Sequence, residues 1–310
     1  MRYKIIELLV IILLSAGCQD NISDNDGPIE TKDSLKVDQM GTAEWFEIAT
    51  WNIQWFPKQD DATVHALQSL IKDLDIDLIA VQEISDSEAF YKLLEGLPEW
   101  HGILSPHTYA NGDYQKVGLI YKTSNISINA NDTHLLFAED DYYFPRPPLL
   151  VYVTVIGESG SGFDFNLIIV HLKAFSDRES QNRRLHACIT MEEFITTEIA
   201  SGADPDFLVV GDWNDELNDP VEDNIFQVFL DKPRAYHFVT DTLTQRSSYI
   251  HPHYDGLIDH ILITENTLEE YGQGMTNILY LDRQYEPYES LISDHRPVVS
   301  VFKGFKLKVD

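Results

Sequence analysis

The chain contains the stretch Phe207-Leu208-Val209-Val210-Gly211-Asp212-Trp213-Asn214, in which an apolar run leads through a glycine into polar side chains. Four consecutive apolar residues predict a β-strand that is covered on both faces. In α/β folds, functional sites are commonly built at the ends of such strands. Asp212 and Asn214 are therefore candidate functional residues, although a single residue of either type often serves only as a turn or helix cap.

Polar side chains accompany short apolar runs at five further places: Asn52, Glu83, His171, Asp259-His260 and Asp294-His295. Any one of them has an ordinary structural explanation, such as a cap, a turn or a buried histidine. Six coincidences along one chain are much harder to explain in that way. The pattern predicts that carboxylate, amide and imidazole groups from several strands meet in one site.

Apolar periodicity predicts the secondary structure in outline. Strands are predicted over residues 46–53, 78–81, 117–121, 149–156, 163–170, 207–210, 257–263 and 298–302, and helices over 62–74, 87–94 and 181–199. No long linker or internal repeat separates these segments, so residues 45–310 are expected to form one domain. The alternation predicts a layered α/β fold, and periodicity alone leaves its architecture open.

The chain is strongly acidic, with 51 Asp and Glu against 22 Lys and Arg among 310 residues and a net charge of −29. A protein that bound nucleic acid mainly through a basic face would have the opposite balance. If the substrate is a phosphate ester, cations must bridge it to the protein. Cys18 and Cys188 are the two cysteines, and modification of the first would exclude an internal disulfide.

The amino terminus has the features of a targeting segment. Arg2 and Lys4 precede an apolar run over residues 5–14, which is about half of the ~20 residues that a transmembrane helix needs. Leu14-Ser15-Ala16-Gly17-Cys18 then resembles the lipobox of bacterial lipoproteins. The resemblance implies that residues 1–17 are a signal peptide and that Cys18 carries lipid. A plain cleaved signal or a short membrane anchor is the alternative.

Residues 18–44 are acidic, poor in apolar side chains and without periodicity, so we predict a solvated tether. Removing a signal of charge +1 and a tether of charge −5 from the total of −29 leaves −25 on the body. The lipobox implies an extracytoplasmic protein that a lipid anchors to a bacterial membrane. Gln19 beside the cysteine favours the outer membrane or the cell surface. We expect a monomer.

Five motifs occur in order along the body: Trp51-Asn52-Ile53-Gln54, Val81-Gln82-Glu83, Val210-Gly211-Asp212-Trp213-Asn214, Ile258-Asp259-His260-Ile261 and Ser293-Asp294-His295-Arg296-Pro297. Together they resemble the endonuclease/exonuclease/phosphatase superfamily, the DNase I-like proteins, over residues 46–303. That superfamily includes nucleases, neutral sphingomyelinases and inositol-polyphosphate 5-phosphatases. The resemblance implies a four-layer α/β/β/α sandwich, in which two mostly antiparallel sheets pack face to face and the site lies at one edge.

The resemblance also implies a metal site. Glu83 would provide a carboxylate for Mg²⁺, or for Mn²⁺ or Ca²⁺, and Asn52 and Asp294 would complete or flank that site. Hard oxygen ligands of this kind suit all three cations.

The remaining motif residues carry catalytic expectations for phosphodiester hydrolysis, which needs an activated water and charge neutralisation at the phosphoryl oxygens. Asp212 would orient or deprotonate the water, and Asn214 would hold it or donate to phosphate. His295 would face the scissile phosphate, with Asp259 fixing its tautomer and favouring its cationic form. His171 would be a general acid or a phosphate donor.

Arg146 lies in Tyr142-Tyr143-Phe144-Pro145-Arg146-Pro147-Pro148 and resembles the phosphate-contacting arginine of the DNase I branch. A surface arginine in a proline-rich turn is the alternative. The chain departs from that branch in two ways. The acid expected to pair with His171 has no clear counterpart, with Asp113 and Gln115 as the candidates. Ile84-Ser85-Asp86 stands where an arginine follows the metal-binding glutamate.

Three functional hypotheses follow. The leading one is a metal-dependent nuclease that digests nucleic acid outside the cytoplasm, with DNA as the expected substrate. The second keeps the chemistry and changes the substrate to lipid headgroups or small phosphorylated metabolites. The third is a catalytically silent binding protein, which the complete set of polar site residues argues against.

Overall fold

The computed structural model describes residues 37–243, 246–254 and 256–308. Within these residues, the strands are β1 (Trp45–Phe56), β2 (Leu78–Ile84), β3 (Trp100–Leu104), β4 (Lys116–Lys122), β5 (Ile126–Leu135), β6 (Leu149–Ile156), β7 (Gly162–His171), β8 (Phe207–Asp212), β9 (Tyr236–Phe238), β10 (Asp259–Thr264), β11 (Met275–Ile278) and β12 (Val298–Lys306). The α-helices are α1 (Asp60–Leu74), α2 (Ser87–Glu95), α3 (Arg178–Ala200), α4 (Gln227–Leu230), α5 (Leu268–Tyr271) and α6 (Tyr288–Leu291).

The strands form two six-stranded sheets. The first has the order β11-β12-β1-β2-β4-β3 and the second the order β5-β6-β7-β8-β10-β9. The pairs β1–β2 and β7–β8 are parallel, and the other pairs among the described strands are antiparallel. Each parallel pair is joined by a crossover that contains a helix, α1 in the first sheet and α3 in the second.

Apolar side chains form a central core between the sheets and an outer core behind each of them. Phe46, Val151 and Phe165 lie in the central core. The buried face of α1 packs with Trp51 behind the first sheet, and α3 packs behind the second. The predicted four-layer α/β/β/α sandwich of two mostly antiparallel sheets is confirmed. It also explains why every residue of β8 is buried, because both faces of the strand are covered.

Helix starts follow from capping residues that periodicity does not detect. The side chain of Asp86 accepts hydrogen bonds from Glu88 N and Ala89 N, so α2 begins at Ser87 as predicted. Asp177 accepts from Ser180 N at 3.0 Å, and α3 therefore begins at Arg178, three residues before the predicted start.

The sequence prediction misses four strands, of which β3 and β5 show the reasons. β3 is a short edge strand in which Gly102 and the exposed His101 interrupt the apolar pattern. β5 is a long edge strand that is rich in Asn and Asp and has an irregularity between Ile128 and Thr133. Edge strands face solvent along one side, so their sequences carry a weaker apolar signal.

The tether prediction needs a correction at its carboxyl end. Val37 is buried in the core behind the first sheet, and Met40 N and Gly41 N both donate to Leu74 O. Residues 37–44 therefore pack against the domain, which begins no later than Val37 and not at residue 45. The predicted signal peptide and Cys18 lie outside the described residues. Among the residues that are described, no helix is both long and apolar enough to span a membrane.

Candidate active site

Strand register in the second sheet aligns three of the predicted site residues. His171, the last residue of β7, is paired with Asp212, the last residue of β8. Asp212 is in turn paired with Asp259, the first residue of β10. Directly opposed residues on neighbouring strands point to the same face of a sheet. The three side chains therefore form a row along one edge of that sheet.

Gly211, which precedes Asp212, is required by close packing. Its φ is +151°, and a Cβ at this position would lie 2.0 Å from the carbonyl oxygen of Val170 on β7. No larger residue fits without moving the backbone. The Gly-Asp sequence thus lets β8 approach β7 closely enough to bring Asp212 beside His171.

The first sheet contributes Asn52 from β1 and Glu83 from β2. Asn52 Nδ2 donates to Glu83 Oε1 at 3.2 Å and to Asp212 Oδ2 at 3.0 Å, so this amide connects the two sheets. Glu83 has φ +64°, a left-handed conformation that is uncommon for residues other than glycine. Its Oε2 accepts from Trp55 N at 3.0 Å, which fixes the carboxylate in the site.

The segment before β12 is attached to β1 through Ser293 and Gln54. Ser293 Oγ donates to Asn52 O at 2.6 Å and accepts from His295 N at 2.9 Å. Gln54 Nε2 donates to Asp294 Oδ2 at 2.7 Å. Both residues belong to the sequence motifs, but nothing in those motifs assigns them a role. They position Asp294 and His295 at the same edge as the other site residues.

His295 forms a buried pair with Asp259. His295 Nδ1 lies 2.8 Å from Asp259 Oδ2, which also accepts from Ser248 Oγ at 2.7 Å. Burial by itself would lower the pKa of His295, but the charges of Asp259, Asp212 and Asp294 outweigh burial and raise it to about 10. An imidazole with this pKa is cationic at neutral pH. Ser248 has no recognisable signal in the sequence.

Asp212 lies between the two histidines. Its Oδ1 accepts from Asn214 N at 2.9 Å, and its Oδ2 lies 3.5 Å from His171 Nε2 and 3.8 Å from His295 Nε2. Burial raises the pKa of Asp212 to about 7, and the charges of Asp259 and Glu83 act in the same direction. A carboxyl group with this pKa is suited to exchange a proton with water near neutral pH.

His171 is buried and lacks the acidic partner that the family pattern suggests. Its Nδ1 has no hydrogen-bond partner within the described part of the chain. Of the two candidate partners, Asp113 is exposed and accepts from Asn111, whereas Gln115 Oε1 accepts from Arg146 Nη1 at 3.0 Å. Burial, with the charges of Arg146 and His295, lowers the pKa of His171 well below its usual value. A neutral imidazole can donate a hydrogen bond to phosphate, which is one of the two roles predicted for His171.

Arg146 is anchored beneath the site rather than held free on the surface. Its Nε donates to His171 O at 3.0 Å and its Nη2 donates to Leu172 O. Leu172 O also accepts from Asn214 Nδ2 at 3.2 Å. Three groups of this guanidinium thus hold protein partners, and Arg146 stabilises the chain that carries His171 and Asn214. These contacts exclude the alternative of a solvated surface arginine.

The donor set fits a divalent cation. Asn52, Glu83 and Asp294 offer oxygen ligands of the type that Mg²⁺, Mn²⁺ and Ca²⁺ prefer. Asp259 Oδ1 is buried without a hydrogen-bond partner in the described residues, and burial with the charge of Glu83 raises the pKa of Asp294. Ligand atoms of Asp212, Asp259 and His295 also lie within 4.8 Å of one another. Because a cationic imidazole cannot coordinate a metal, we favour the predicted set for the cation.

All nine residues predicted from the sequence thus belong to one connected site at the edge of the two sheets. The hydrogen bonds and short contacts described above link Asn52, Glu83, Arg146, His171, Asp212, Asn214, Asp259, Asp294 and His295. The individual roles assigned to them are still predictions. The buried His260, by contrast, donates or accepts only structural hydrogen bonds, with Thr240 Oγ1 and Asp215 O.

Comparison with known proteins identifies the family. Residues 49–295 match the model of the Endonuclease/Exonuclease/phosphatase family, and the chain belongs to that family. Its members are divalent-metal-dependent phosphodiesterases and phosphatases, which agrees with the site described above. No curated protein matches the chain closely enough to suggest a narrower identity.

Solved structures with low sequence identity share the fold. The 3′ phosphatase NExo from Neisseria, bound to a product DNA hairpin, has 20% identity and a TM-score of 0.59, covering 83% of this chain and 99% of its own. TDP2 from D. rerio, complexed with a single-strand DNA product, has 13% identity and a TM-score of 0.59, with coverages of 84% and 99%. The mannosyl-6-phosphatase Bt3783 from Bacteroides thetaiotaomicron has 13% identity and a TM-score of 0.58, with coverages of 82% and 98%.

Proposed function

We propose that this protein is a metal-dependent nuclease that hydrolyses phosphodiester bonds outside the cytoplasm, anchored to a bacterial membrane by lipid on Cys18. The observation that carries the proposal is the position of Asp212. A buried carboxyl group, with its pKa raised to about 7, lies within 4 Å of one neutral and one cationic imidazole. Phosphodiester hydrolysis needs this combination, because a proton must leave water while negative charge develops on phosphate.

Each site residue has a role in this proposal. Asp212 holds the attacking water and accepts its proton. Cationic His295, fixed by Asp259, donates to a phosphoryl oxygen, and neutral His171 and Asn214 provide further donors. Asn52, Glu83 and Asp294 hold Mg²⁺ or a similar cation, which would neutralise charge on the phosphoryl group when bound.

Two features support nucleic acid as the substrate and the exterior as the place of action. The structurally similar NExo and TDP2 were both solved with DNA products, although at these identities the similarity establishes only the fold. The lipobox-like stretch before Cys18 supports a lipid anchor outside the cytoplasm. A scavenging nuclease is consistent with that location, whereas a repair enzyme would be separated from genomic DNA.

Supercoiled plasmid tests the proposal directly. The full chain, incubated with plasmid and Mg²⁺, should convert the supercoiled form to nicked and linear forms. EDTA should stop the reaction, and Asp212→Ala should be inactive while remaining folded. Nicking that continues in EDTA or in the variant would show that the assigned site is not responsible.

A second candidate is a phosphoesterase for lipid headgroups or small phosphorylated metabolites. It is favoured by the similarity to the mannosyl-6-phosphatase Bt3783 and by the charge of −25 on residues 45–310, which repels a long polyanion. An intact plasmid, together with Asp212-dependent hydrolysis of sphingomyelin, inositol phosphates or sugar phosphates, would select this alternative.

A further inference from the structure

Three large aromatic side chains are exposed close in sequence to site residues, one near the end of β1, one after β7 and one before β10. Trp55 is 59% exposed and follows Asn52, and Phe175 is 73% exposed and follows His171. Tyr254 is 40% exposed and lies in the loop that leads to Asp259. We refer to Trp55, Phe175 and Tyr254 as the aromatic rim.

Short contacts connect each member of the aromatic rim to the site or to a cation. Trp55 N donates to Glu83 Oε2 at 3.0 Å. The ring of Tyr254 lies 6.1 Å from that of Tyr249, whose own ring lies 5.0 Å from His295. Lys173 Nζ lies 4.1 Å from the centre of the Phe175 ring.

The backbone beneath Trp55 is also unusual. Gln54 and Trp55 have φ values of +34° and +50°, and two consecutive residues of this size rarely adopt left-handed conformations. The conformation points the amide of Trp55 at Glu83 and leaves its indole in solvent. Strained residues and exposed large apolar groups are both costly, and both concentrate at functional surfaces.

We propose that the aromatic rim is a stacking surface for unpaired nucleobases next to the phosphodiester in the site, an inference that rests on the proposed nuclease function. The flat face of a base stacks on an aromatic ring without requiring a positively charged groove. Stacking therefore suits a protein whose body carries −25. In a duplex the same base faces are already stacked on one another, so the rim favours single strands. Lys173, beside Phe175, is placed to neutralise a neighbouring phosphate.

Hydrolysis of three substrates by the full chain tests this inference: a short single-stranded oligothymidylate, a duplex of the same length, and bis(p-nitrophenyl) phosphate. The variants are Phe175→Ala and Trp55→Asn. Asparagine is chosen at position 55 because it tolerates the left-handed backbone and so preserves the backbone N–H that donates to Glu83. Tyr91→Ala is the matched control, since Tyr91 is 55% exposed but lies on α2. Wild-type protein should prefer the single strand.

Each rim variant should raise KM for the oligothymidylate by about 5–100-fold with little change in kcat, which is the effect of losing one base stack. Phe175→Ala should leave hydrolysis of bis(p-nitrophenyl) phosphate unchanged, and Tyr91→Ala should behave as wild type. Equal KM values for the rim variants, the control and the wild type would overturn the inference. So would rim variants that lose binding to phosphatidylcholine vesicles and keep their KM for the oligothymidylate.

Failure of this inference is distinguishable from failure of the proposed function. Wild-type protein that cleaves the oligothymidylate, with rim variants unaffected, contradicts only the stacking surface. Wild-type protein that hydrolyses bis(p-nitrophenyl) phosphate but cleaves neither nucleic acid contradicts the nuclease proposal and the inference together.

Discussion

Acidic side chains gather at each end of the parallel strands β1 and β2, and the two groups are built differently. At one end, Glu83 and Asp212 approach each other through Asn52, with His171 and His295 beside them. At the other end, Glu47 on β1 lies against Asp77, which precedes β2. We refer to Glu47 and Asp77 as the distal acid pair.

The distal acid pair is neutralised within the protein. Asp77 Oδ1 accepts from Asn125 Nδ2 at 2.8 Å and lies 3.4 Å from Lys122 Nζ. Burial and the charge of Asp77 raise the pKa of Glu47 to about 9, so Glu47 is protonated at neutral pH. Thr42 donates to Glu47 Oε1 through both its backbone N–H and its hydroxyl. This arrangement holds the segment 37–44 in place and leaves no charge to be balanced by a ligand.

The acids of the active site are not neutralised by protein groups in this way. Glu83, Asp212, Asp259 and Asp294 converge there, and burial raises the pKa of both Asp212 and Asp294. Cationic His295 and the guanidinium of Arg146 offset only part of this negative charge. Buried carboxylates by themselves therefore do not indicate function. The active site is distinguished by an excess of negative charge beside two imidazoles. A bound cation would balance the charge, and a phosphate would accept hydrogen bonds from the imidazoles.

The largest expected effect comes from removing the ionisable group at Asp212. Asp212→Asn should lower kcat for phosphodiester hydrolysis by about 10²–10⁴-fold, because the amide cannot accept a proton from water. The thermal unfolding temperature should change little, because the amide loses the repulsion of Asp259 and Glu83 together with the attraction of cationic His295. Steady-state kinetics and thermal unfolding measure both effects.

Asp206→Asn is the matched control for that variant. Asp206 is partly buried just before the opposite end of β8, and burial raises its pKa to about 6. Its replacement should leave kcat near the wild-type value. Equal losses in the two variants would show that Asp212 acts through stability rather than chemistry.

The stretch around Asp212 also shows how far the sequence alone leads. The apolar run of β8, its glycine and its polar end predicted both the strand and the site, because a doubly covered strand has a strong periodic signature. The strand β5 was missed, since its Asn and Asp side chains face solvent at a sheet edge. Gln54 and Ser248 were missed for another reason: they act through long-range hydrogen bonds to Asp294 and Asp259, and partners so distant in sequence emerge only from folding.

A smaller effect on turnover is expected at Arg146. Arg146→Ala should lower kcat by about tenfold, equivalent to ~1.4 kcal/mol, because the carbonyls of His171 and Leu172 lose their anchor. Arg146→Lys should recover little, since an ammonium cannot bridge both carbonyls as the planar guanidinium does. Arg178→Ala removes an exposed arginine paired with Asp223 and serves as the control. Unchanged kcat and unchanged thermal stability in Arg146→Ala would contradict this role.

The smallest effect is a pH dependence of stability at the distal acid pair. The pKa of Glu47 is raised in the folded protein, so its contribution is fully present below pH 4.5 and is lost as pH rises towards about 9. Glu47→Gln resembles the protonated acid at every pH. At pH 8 its unfolding free energy should therefore exceed that of the wild type by at least about 1 kcal/mol, which is roughly the free energy of a pKa shift of one unit.

Denaturant unfolding between pH 5 and pH 9 measures this difference, with the exposed Glu95→Gln as control. The gap between Glu47→Gln and the wild type should widen as the pH rises, and the control should show no trend. A gap that stays constant or narrows with rising pH would mean that Glu47 is ionised in the folded protein. The distal acid pair would then carry negative charge that the protein does not neutralise, as the active site does.

Binding of Mn²⁺ to the full chain, followed by electron paramagnetic resonance, measures whether the active-site acids hold a divalent cation. The unbalanced acids at the site predict saturable binding that is at least about tenfold weaker in Glu83→Gln, while Glu47→Gln binds as the wild type does. Indistinguishable Mn²⁺ affinities in the wild type and Glu83→Gln would contradict the claim that this end of β1 and β2 is a metal-dependent phosphoesterase site.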